Sequence, residues 1–419
     1  MIFEEKQKSQ PIEKRQVWDA FQKVKQNGGA AGVDKLSIEA VSAQARKYLY
    51  PIWNRLASGS YFPQPVREVE IPKDDGGKRK LGIPTVVDRT AQMVIRGELE
   101  AIVDRQFSES SYGYRPNKSA HQAIEKCKEN CMNMDWVIDL DIKSFFDEID
   151  HELMMRALSH FTDKKHIHLY VKRWLEAPVQ KKDGTVQKRS KGTPQGGVIS
   201  PLLANIFLHV VFDKWIEKNH PNVKFERYAD DIIIHCSNFK EALRTLEAVK
   251  ARLKQCKLGI KDGKSNIVYC KRNQKNKPPF KVHYVKFDFL GFTFKPRMVK
   301  GWFGNFHLGF TPSISRKSQK KISQTLAKLK LHRMVHLELQ DLSVIIADKL
   351  RGWIYYYGKT RMSELHYVFR FLNKRLGRWV RNKYREYRKK HWFFAYKHLQ
   401  EIAAQYPNLF VHWEYGFLP

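Results

Sequence analysis

The chain has 419 residues, more than one ordinary domain, so two or three packed units are expected. Its 76 Lys+Arg against 43 Asp+Glu give a formal net charge of +33, which opposes compaction unless a polyanion neutralises it. No apolar run approaches the roughly 20 residues of a membrane span, and the first residues lack a signal-peptide pattern. These features argue against a membrane or secreted protein and predict a cytosolic one that binds nucleic acid.

The N-terminal third is mostly helical in pattern and contains one predicted hairpin. Residues 12–58 predict two helices around a turn rich in Gly and Ala. Between Val66 and Ile83, two strand-like runs flank Asp75-Gly76, a pair that suits a tight turn. Further helices are predicted over residues 88–103 and 120–131.

The five cysteines are scattered and lack C-x-x-C spacing. This distribution argues against a disulfide framework and favours reduced, buried thiols. Cys127 and Cys131 lie four residues apart on one predicted helix face, so a metal-binding pair remains the alternative there.

Two apolar segments carry acidic residues. VIDLDI is typical of a buried strand, in which Asp139 and Asp141 point to the same face. FERYADDIIIHC predicts a hairpin with Asp230 and Asp231 at its tip. A carboxylate in an apolar strand is costly unless it is paired or bound to metal, so these acids predict a divalent metal site, with an ordinary Asp-Asp turn as the alternative. Periodicity alone does not choose between Asp139 and Asp141.

Beyond Pro296 the pattern becomes helical and strongly basic. This segment holds 24 Lys+Arg and seven Asp+Glu, which is half of the chain's net positive charge. It therefore predicts a separate helical domain that grips nucleic acid, with a merely solvated basic surface as the alternative. Trp353 has the spacing of a core residue, whereas Arg351 and Lys359 are predicted to contact a nucleic-acid backbone.

The order of the motifs resembles one known family from end to end. VWDAFQKVKQNGGAAGVDKLSIEAV is similar to the N-terminal extension of non-retroviral reverse transcriptases, and YFPQPVREVEIPKDDGGKRKLGIPTVVDR and FSESSYGYRPNKSAHQAI are similar to the fingers. The palm motifs are matched by DLDIKSFFDEIDH, KGTPQGGVISPLLANI, YADD, LGIKDGKS and FLGFTF, and RGWIYYYG resembles the maturase, or thumb, domain. The chain thus resembles a bacterial-type group II intron-encoded reverse transcriptase/maturase.

This resemblance implies an α+β fold, a right-hand polymerase with fingers and an antiparallel palm sheet, followed by an α-helical thumb. The implied divisions are an N-terminal extension (1–60), fingers and palm (61–295), the thumb/maturase domain (296–375) and a basic DNA- or RNA-binding segment (376–419). The resemblance is to members without a C-terminal HNH endonuclease module, since no paired-cysteine, His-rich motif follows the maturase-like block. We therefore expect that the protein does not cut the second DNA strand.

The resemblance also selects the catalytic acids. In the family, the first catalytic Asp lies five residues before an aromatic that faces the incoming sugar, and Asp141 and Phe146 match this spacing whereas Asp139 does not. The implied catalytic residues are Asp141, Asp230 and Asp231, which would hold two Mg²⁺ ions, with Mn²⁺ as a substitute. Phe146 would exclude a ribose 2′-hydroxyl, although its position alone suits a core aromatic.

Other residues match family positions that contact the incoming nucleotide or the template. Lys73, Arg79 and Lys264 correspond to residues that grip the triphosphate, although single basic residues are more often solvated. Gln195 matches the Gly-rich loop residue near the nascent base pair, with an ordinary loop as the alternative. Arg115 in SYGYRP resembles a template-strand contact, with a structural role as the alternative.

The function implied is that of an RNA-directed DNA polymerase that binds its intron RNA, assists splicing and copies the RNA into DNA during intron mobility (retrohoming). The expected partners are group II intron RNA, a DNA target or primer and dNTPs, in the bacterial cytosol or nucleoid, with the oligomeric state open. One alternative is a domesticated reverse transcriptase in defence, repair or sequence diversification. Another is a splicing-only RNA-binding maturase, against which the intact acids argue.

Overall fold

The computed structural model describes residues 10–72, 77–261, 263, 265–271, 278, 280–300 and 304–419. The chain divides into two compact units. The first comprises Met1–Ala123 and Ile138–Asn266, and the second comprises Ile124–Val137 and Ile267–Pro419. Within the described ranges, none of the helices combines the length and the apolar character needed to cross a bilayer.

The first unit mixes helices and short sheets. Its helices are α1 (Lys14–Asn27), α2 (Ile38–Ala43), α3 (Ala45–Ser58), α4 (Val86–Val103), the start of α5 (Ala120–Asn133), α6 (Phe145–Glu148), α7 (His151–Ser159), α8 (Lys165–Glu176), α9 (Ser200–Leu208), α10 (Lys214–Asn219) and α11 (Phe239–Gln255). Its strands are β1 (Val66–Pro72), β2 (Lys78–Ile83), β3 (Trp136–Asp141), β4 (Val179–Gln180), β5 (Val186–Gln187), β6 (Lys224–Tyr228) and β7 (Asp231–Cys236). β3 belongs to this unit from Ile138 on, and only the first residue of β8 (Asn266–Tyr269) belongs to it. The second of the two helices expected before residue 58 is split, because Gln44 leaves the helical conformation between α2 and α3.

The predicted N-terminal hairpin is confirmed. β1 and β2 are antiparallel in one continuous register, from Arg67 opposite Ile83 to Pro72 opposite Lys78. β1 also pairs in parallel with β4, so that the sheet has the order β2-β1-β4-β5. The Asp75-Gly76 turn lies outside the described residues.

The second predicted hairpin is also confirmed. β6 and β7 are antiparallel, and Tyr228 faces Asp231 across a two-residue turn. Ile232, Ile233 and Ile234 are buried, which explains why this segment is almost continuously apolar. β3 lies beside β7, so the strand that ends at Asp141 is the neighbour of the strand that begins at Asp231.

The second unit begins as a sheet and continues as a helical domain. Its strands β9 (Phe287–Phe289), β10 (Phe292–Lys300) and β11 (Phe306–Ile314) form an antiparallel sheet of order β11-β10-β9. Its helices are the remainder of α5, α12 (Arg316–Lys328), α13 (Leu339–Arg361), α14 (His366–Lys383), α15 (Trp392–Gln405) and α16 (Val411–Glu414). The helical pattern was expected to start at Pro296, but the first helix starts about 20 residues later, at Arg316. The reason is that Pro296 lies within β10 and the β10–β11 hairpin extends to Ile314.

Two of the expected domain boundaries fall inside regular elements. The boundary at 295/296 interrupts β10, and the boundary at 375/376 interrupts α14. A single hydrophobic core extends from Ile314 to Phe417 and includes α12, α13, α14 and α15. Residues 376–419 therefore contribute to the same hydrophobic core as α12, α13 and α14.

The C-terminal residues complete this core. Phe410, Val411, Trp413 and Phe417 are buried among the helices of the second unit. The Asn373 side chain on α14 holds the segment, since its Oδ1 accepts the indole N–H of Trp413 at 3.0 Å and its Nδ2 donates to the Phe417 carbonyl at 2.9 Å. The segment PNLFVHWEYGFLP thus contributes to the core of the second unit.

His412 should make the second unit sensitive to acid. Its imidazole is buried beside Asn373, and burial lowers its pKa from 6.5 to about 3. The folded state therefore excludes a proton that the unfolded chain binds below pH 6.5, so stability is complete above that pH and is lost as the pH falls towards 3. The loss at pH 5 should be about 2 kcal/mol.

Urea unfolding at pH 7 and pH 5, followed by tryptophan fluorescence, tests this expectation. The difference in the free energy of unfolding between pH 7 and pH 5 should be about 2 kcal/mol smaller in His412→Asn than in the wild-type protein. The exposed His366 of the same unit provides the control, because His366→Asn should leave the difference unchanged. An unchanged difference in His412→Asn would contradict the burial argument.

Candidate active site

The hairpin tip of β6 and β7 presents two adjacent carboxylates. Ala229, the first residue of the turn, has φ +56°, a left-handed conformation that residues other than glycine seldom adopt. Asp230 is half-buried and Asp231, the first residue of β7, is exposed. The turn is therefore strained, and a strained backbone persists only where surrounding contacts stabilise it.

The guanidinium of Arg227 provides that support. Arg227 and Asp213 are both fully buried, and two hydrogen bonds of 2.7 and 2.6 Å join the guanidinium to the Asp213 carboxylate. The remaining nitrogen of Arg227 donates to the Asn205 side chain at 2.8 Å and to the Ala229 carbonyl at 3.1 Å. The burial of Asp213 raises its pKa, but Arg227 and His209 outweigh this effect and lower it below its ordinary value.

A second loop fits closely under the turn. The amide of Tyr112 donates to the Arg227 carbonyl at 2.8 Å, and Asn205 donates to the Gly113 carbonyl at 2.7 Å. A Cβ atom on Gly113 would come within 2.5 Å of the Ala229 nitrogen, so only glycine allows this approach. The loop SYGYRP and the turn YADD are therefore packed tightly against each other.

Asp141 lies at the end of β3 and is fixed by its backbone. Its amide donates to the Ser265 hydroxyl at 3.2 Å, and its carbonyl accepts the Lys261 amide at 2.9 Å. Burial raises the pKa of Asp230 above its ordinary value, and the negative charge of Asp141 adds to this rise, while Arg79 opposes it. Asp141 and Arg79 thus both lie close enough to Asp230 for their charges to act on it.

This donor set suits a hard divalent cation. Asp141, Asp230 and Asp231 offer only carboxylate oxygens, the ligands that Mg²⁺ and Mn²⁺ prefer. A cation bound beside Asp230 would offset the burial and the negative charge that raise the pKa of this carboxyl group. The chemistry of the residues therefore fits the metal that the sequence predicts.

Phe146 is half-buried, whereas its neighbour Phe145 is 2% exposed. The two rings pack edge to face at 5.4 Å, so that Phe145 fills the core and supports Phe146. The Phe146 carbonyl accepts the Thr193 amide at 2.8 Å, which joins this segment to the Gly-rich loop. This geometry favours the interpretation of Phe146 as an aromatic at the border of the site over its interpretation as a core residue.

The Gly-rich loop lies between β2 and α6. The Gln195 carbonyl accepts the Gly82 amide at 2.9 Å, and the Gln195 side chain approaches the Asp147 carboxylate at 3.3 Å. Gly196 has φ +119° and lies against the Gly82 carbonyl, so it needs the freedom of glycine. A cleft of about 480 Å³ opens beside this contact.

The other residues predicted to contact the nucleotide or the template differ in their exposure and in their contacts. Arg79 is exposed on β2 and within range of Asp230, whereas Lys73 and Lys264 lie outside the described residues. Arg115 is buried, and its guanidinium donates to both the carboxylate and the carbonyl of Asp104 and to the carbonyls of Ser108 and Ser111. These contacts support the structural alternative for Arg115, and a template contact stays a prediction.

In the second unit, the predicted surface residues are accessible. Arg351 and Lys359 are exposed on α13, and Arg351 approaches the fully exposed Asp348 at 3.4 Å. Trp353 is half-buried and packs against the hydrophobic core, which agrees with its helical spacing. All five cysteines are buried, as expected.

Sequence reasoning missed the support of the acidic turn. Arg227 lies on β6, whereas Asn205 and Asp213 lie on one continuous helical run over residues 200–219, and each looks ordinary in its own context. The arginine directly before the YADD tetrapeptide was the available signal, because a cation in a buried strand needs a buried partner.

Three features lie close together in the first unit: acids from two adjacent strands, a basic residue on the β1–β2 hairpin and a half-buried aromatic. This arrangement is compatible with metal-dependent nucleotide polymerisation.

The comparison with protein families agrees. The family described as "Reverse transcriptase (RNA-dependent DNA polymerase)" matches residues 71–294, more than half of the chain, so the chain belongs to the reverse transcriptase family. The family described as "Group II intron, maturase-specific domain" matches residues 319–396, within the second unit. The expected α+β fold, with antiparallel sheets followed by a largely helical C-terminal domain, is confirmed.

Several curated proteins are similar to this chain. It is 33% identical over 237 residues to the group II intron-encoded protein LtrA of Lactococcus lactis subsp. cremoris, an alignment that covers 56% of the chain and 38% of LtrA. It is 36% identical over 195 residues to protein YkfC of Escherichia coli K12, covering 45% and 50%. It is 26% identical over 157 residues to nuclear intron maturase 4, mitochondrial, of Arabidopsis thaliana, covering 38% and 20%. The alignments span half or less of each relative's own length.

Proposed function

We propose that this protein is an RNA-directed DNA polymerase that also binds a group II intron RNA, assists its splicing and copies it into DNA during intron mobility. The observation that carries the proposal is the convergence of Asp141 and Asp230, next to Asp231, with Arg79 within electrostatic range. The maturase-specific match and the names of the relatives support the intron RNA as the partner.

The three acids would hold two Mg²⁺ ions, with Mn²⁺ as a substitute. The ions would lower the pKa of the primer 3′-hydroxyl and stabilise charge on the transferred phosphate. Asp141 and Asp230 are positioned by backbone contacts and by the Arg227 network, so their carboxylates need little reorganisation when the ions bind.

Cationic and aromatic side chains would bind the incoming dNTP. Arg79 would donate to phosphate oxygens in the geometry that a guanidinium favours, assisted by Lys73 and Lys264. Gln195 would lie near the nascent base pair, and Phe146 would leave no room for a 2′-hydroxyl. The rigid packing of Phe146 on Phe145 supports this steric role.

The second unit would grip RNA by its exposed surface. Arg351 and Lys359 are available on α13, and every residue from Arg388 to Phe394 (RKKHWFF) is exposed. Cations would contact phosphates, and exposed rings such as Trp392 would stack on unpaired bases. The affinity should fall steeply with salt because phosphate contacts release counterions.

One purified sample tests both activities. Primer extension on an RNA template and splicing of the cognate intron RNA should each require the protein, and extension should require Mg²⁺ as well. Extension without splicing would favour a domesticated reverse transcriptase, and splicing without extension would favour a splicing-only maturase. Failure of both would overturn the proposal.

Phe146→Val should raise ribonucleotide incorporation by roughly tenfold or more, because the smaller side chain admits the 2′-hydroxyl. The measurement is the ratio of kcat/KM for dNTP and rNTP on one primer–template. Phe145→Leu is the control, since it should reduce stability without changing this ratio. Unchanged sugar selectivity in Phe146→Val would remove Phe146 from the proposed role.

A further inference from the structure

Tyr114 lies beside the candidate carboxylates. Its ring centroid is 6.2 Å from that of Tyr228, with the ring planes tilted by 46°. The side chain is 52% exposed, and the charges of Asp230, Asp231 and Arg79 act on its hydroxyl. Tyr114 therefore borders the open side of the same site.

The backbone of Tyr114 is held in an unfavourable conformation. Its φ of +57° lies in the left-handed region, which glycine or asparagine would adopt at a lower cost than a bulky aromatic. The conformation is imposed from both sides, by the close contact of Gly113 with the Ala229 backbone and by the buried guanidinium of Arg115. Strained positions of this kind cluster at functional sites.

The rings of Tyr114 and Tyr228 together form an aromatic wall next to the acids. Such a wall fits the apolar faces of bases and sugars, which stack on tyrosine without regard to sequence. We infer that Tyr114 is a positioning residue, which with Tyr228 supports the terminal base pairs of the primer–template duplex and presents the primer 3′-end to Asp230. The inference rests on the proposed polymerase function.

Single-nucleotide extension at saturating primer–template tests this inference. Tyr114→Ala should lower kcat by about tenfold or more, because an aromatic that supports a base pair is lost. The KM for dNTP should change by less than about twofold, since the dNTP phosphates are bound elsewhere. Tyr114→Phe keeps the ring and should retain kcat within about twofold. Tyr415→Ala removes an equally exposed tyrosine of the second unit and should leave extension unchanged.

Tyr114→Asn separates this role from a merely structural one. Asparagine tolerates the left-handed conformation, so the unfolding temperature should stay the same or rise while kcat falls as in Tyr114→Ala. Full activity of either variant would overturn the inference, and so would activity that falls only in parallel with the unfolding temperature. If the wild-type protein does not extend primers, the proposed polymerase function fails instead.

Discussion

Asp230→Ala is expected to abolish Mg²⁺-dependent DNA synthesis on an RNA template, by roughly 10³-fold or more. Asp230 is half-buried, and burial together with the negative charge of Asp141 raises its pKa. A bound cation would therefore favour the ionised form of this carboxyl group. RNA binding should stay within about twofold, since phosphate contacts come from Lys and Arg side chains. Primer extension and filter binding on the same preparation measure the two effects.

Asp139 provides the matched control. It lies two residues before Asp141, on the same face of β3, and is also half-buried. Asp141→Asn should remove extension as Asp230→Ala does, whereas Asp139→Asn should retain it within a few-fold. Measurable extension by Asp230→Ala would refute the metal assignment, and the reverse order of the two β3 variants would show that the wrong acid was chosen.

The acidic site was predictable because its parts are local. A two-residue turn and a period of two fix the register of β6 and β7, so Asp230 and Asp231 had to lie at the tip once the hairpin formed. The placement of Asp141 beside them required a pairing between distant segments, which periodicity does not specify. The resemblance to the family's palm implied that pairing, and the spacing to Phe146 then selected Asp141 over Asp139.

Residues whose partners come from distant segments were not predictable in the same way. The family resemblance implied a template contact for Arg115, but its acceptors on Asp104, Ser108 and Ser111 became visible only in the folded loop. The β10–β11 hairpin was missed because Pro296, Gly309 and Pro312 are poor strand formers and its exposed residues resemble a basic surface. Long-range pairing overrides these local preferences.

Arg227→Met is expected to destabilise the first unit by about 3–5 kcal/mol, because it leaves the Asp213 carboxylate buried without its partner. The variant also removes the donor to the Ala229 carbonyl, so the strained turn that carries Asp230 loses its support. DNA synthesis should therefore fall as well, on the order of tenfold to a hundredfold, as expected for the displacement of a catalytic group by about 1 Å.

The double variant Arg227→Met, Asp213→Leu distinguishes the two effects. Replacing both charges with apolar side chains removes the uncompensated carboxylate, so most of the stability should return. The hydrogen bonds to Asn205 and Ala229 are still absent, so DNA synthesis should remain low. Thermal unfolding and primer extension on the three proteins measure this separation. If synthesis returned together with stability, Arg227 would serve only the fold and another group would hold the acidic turn.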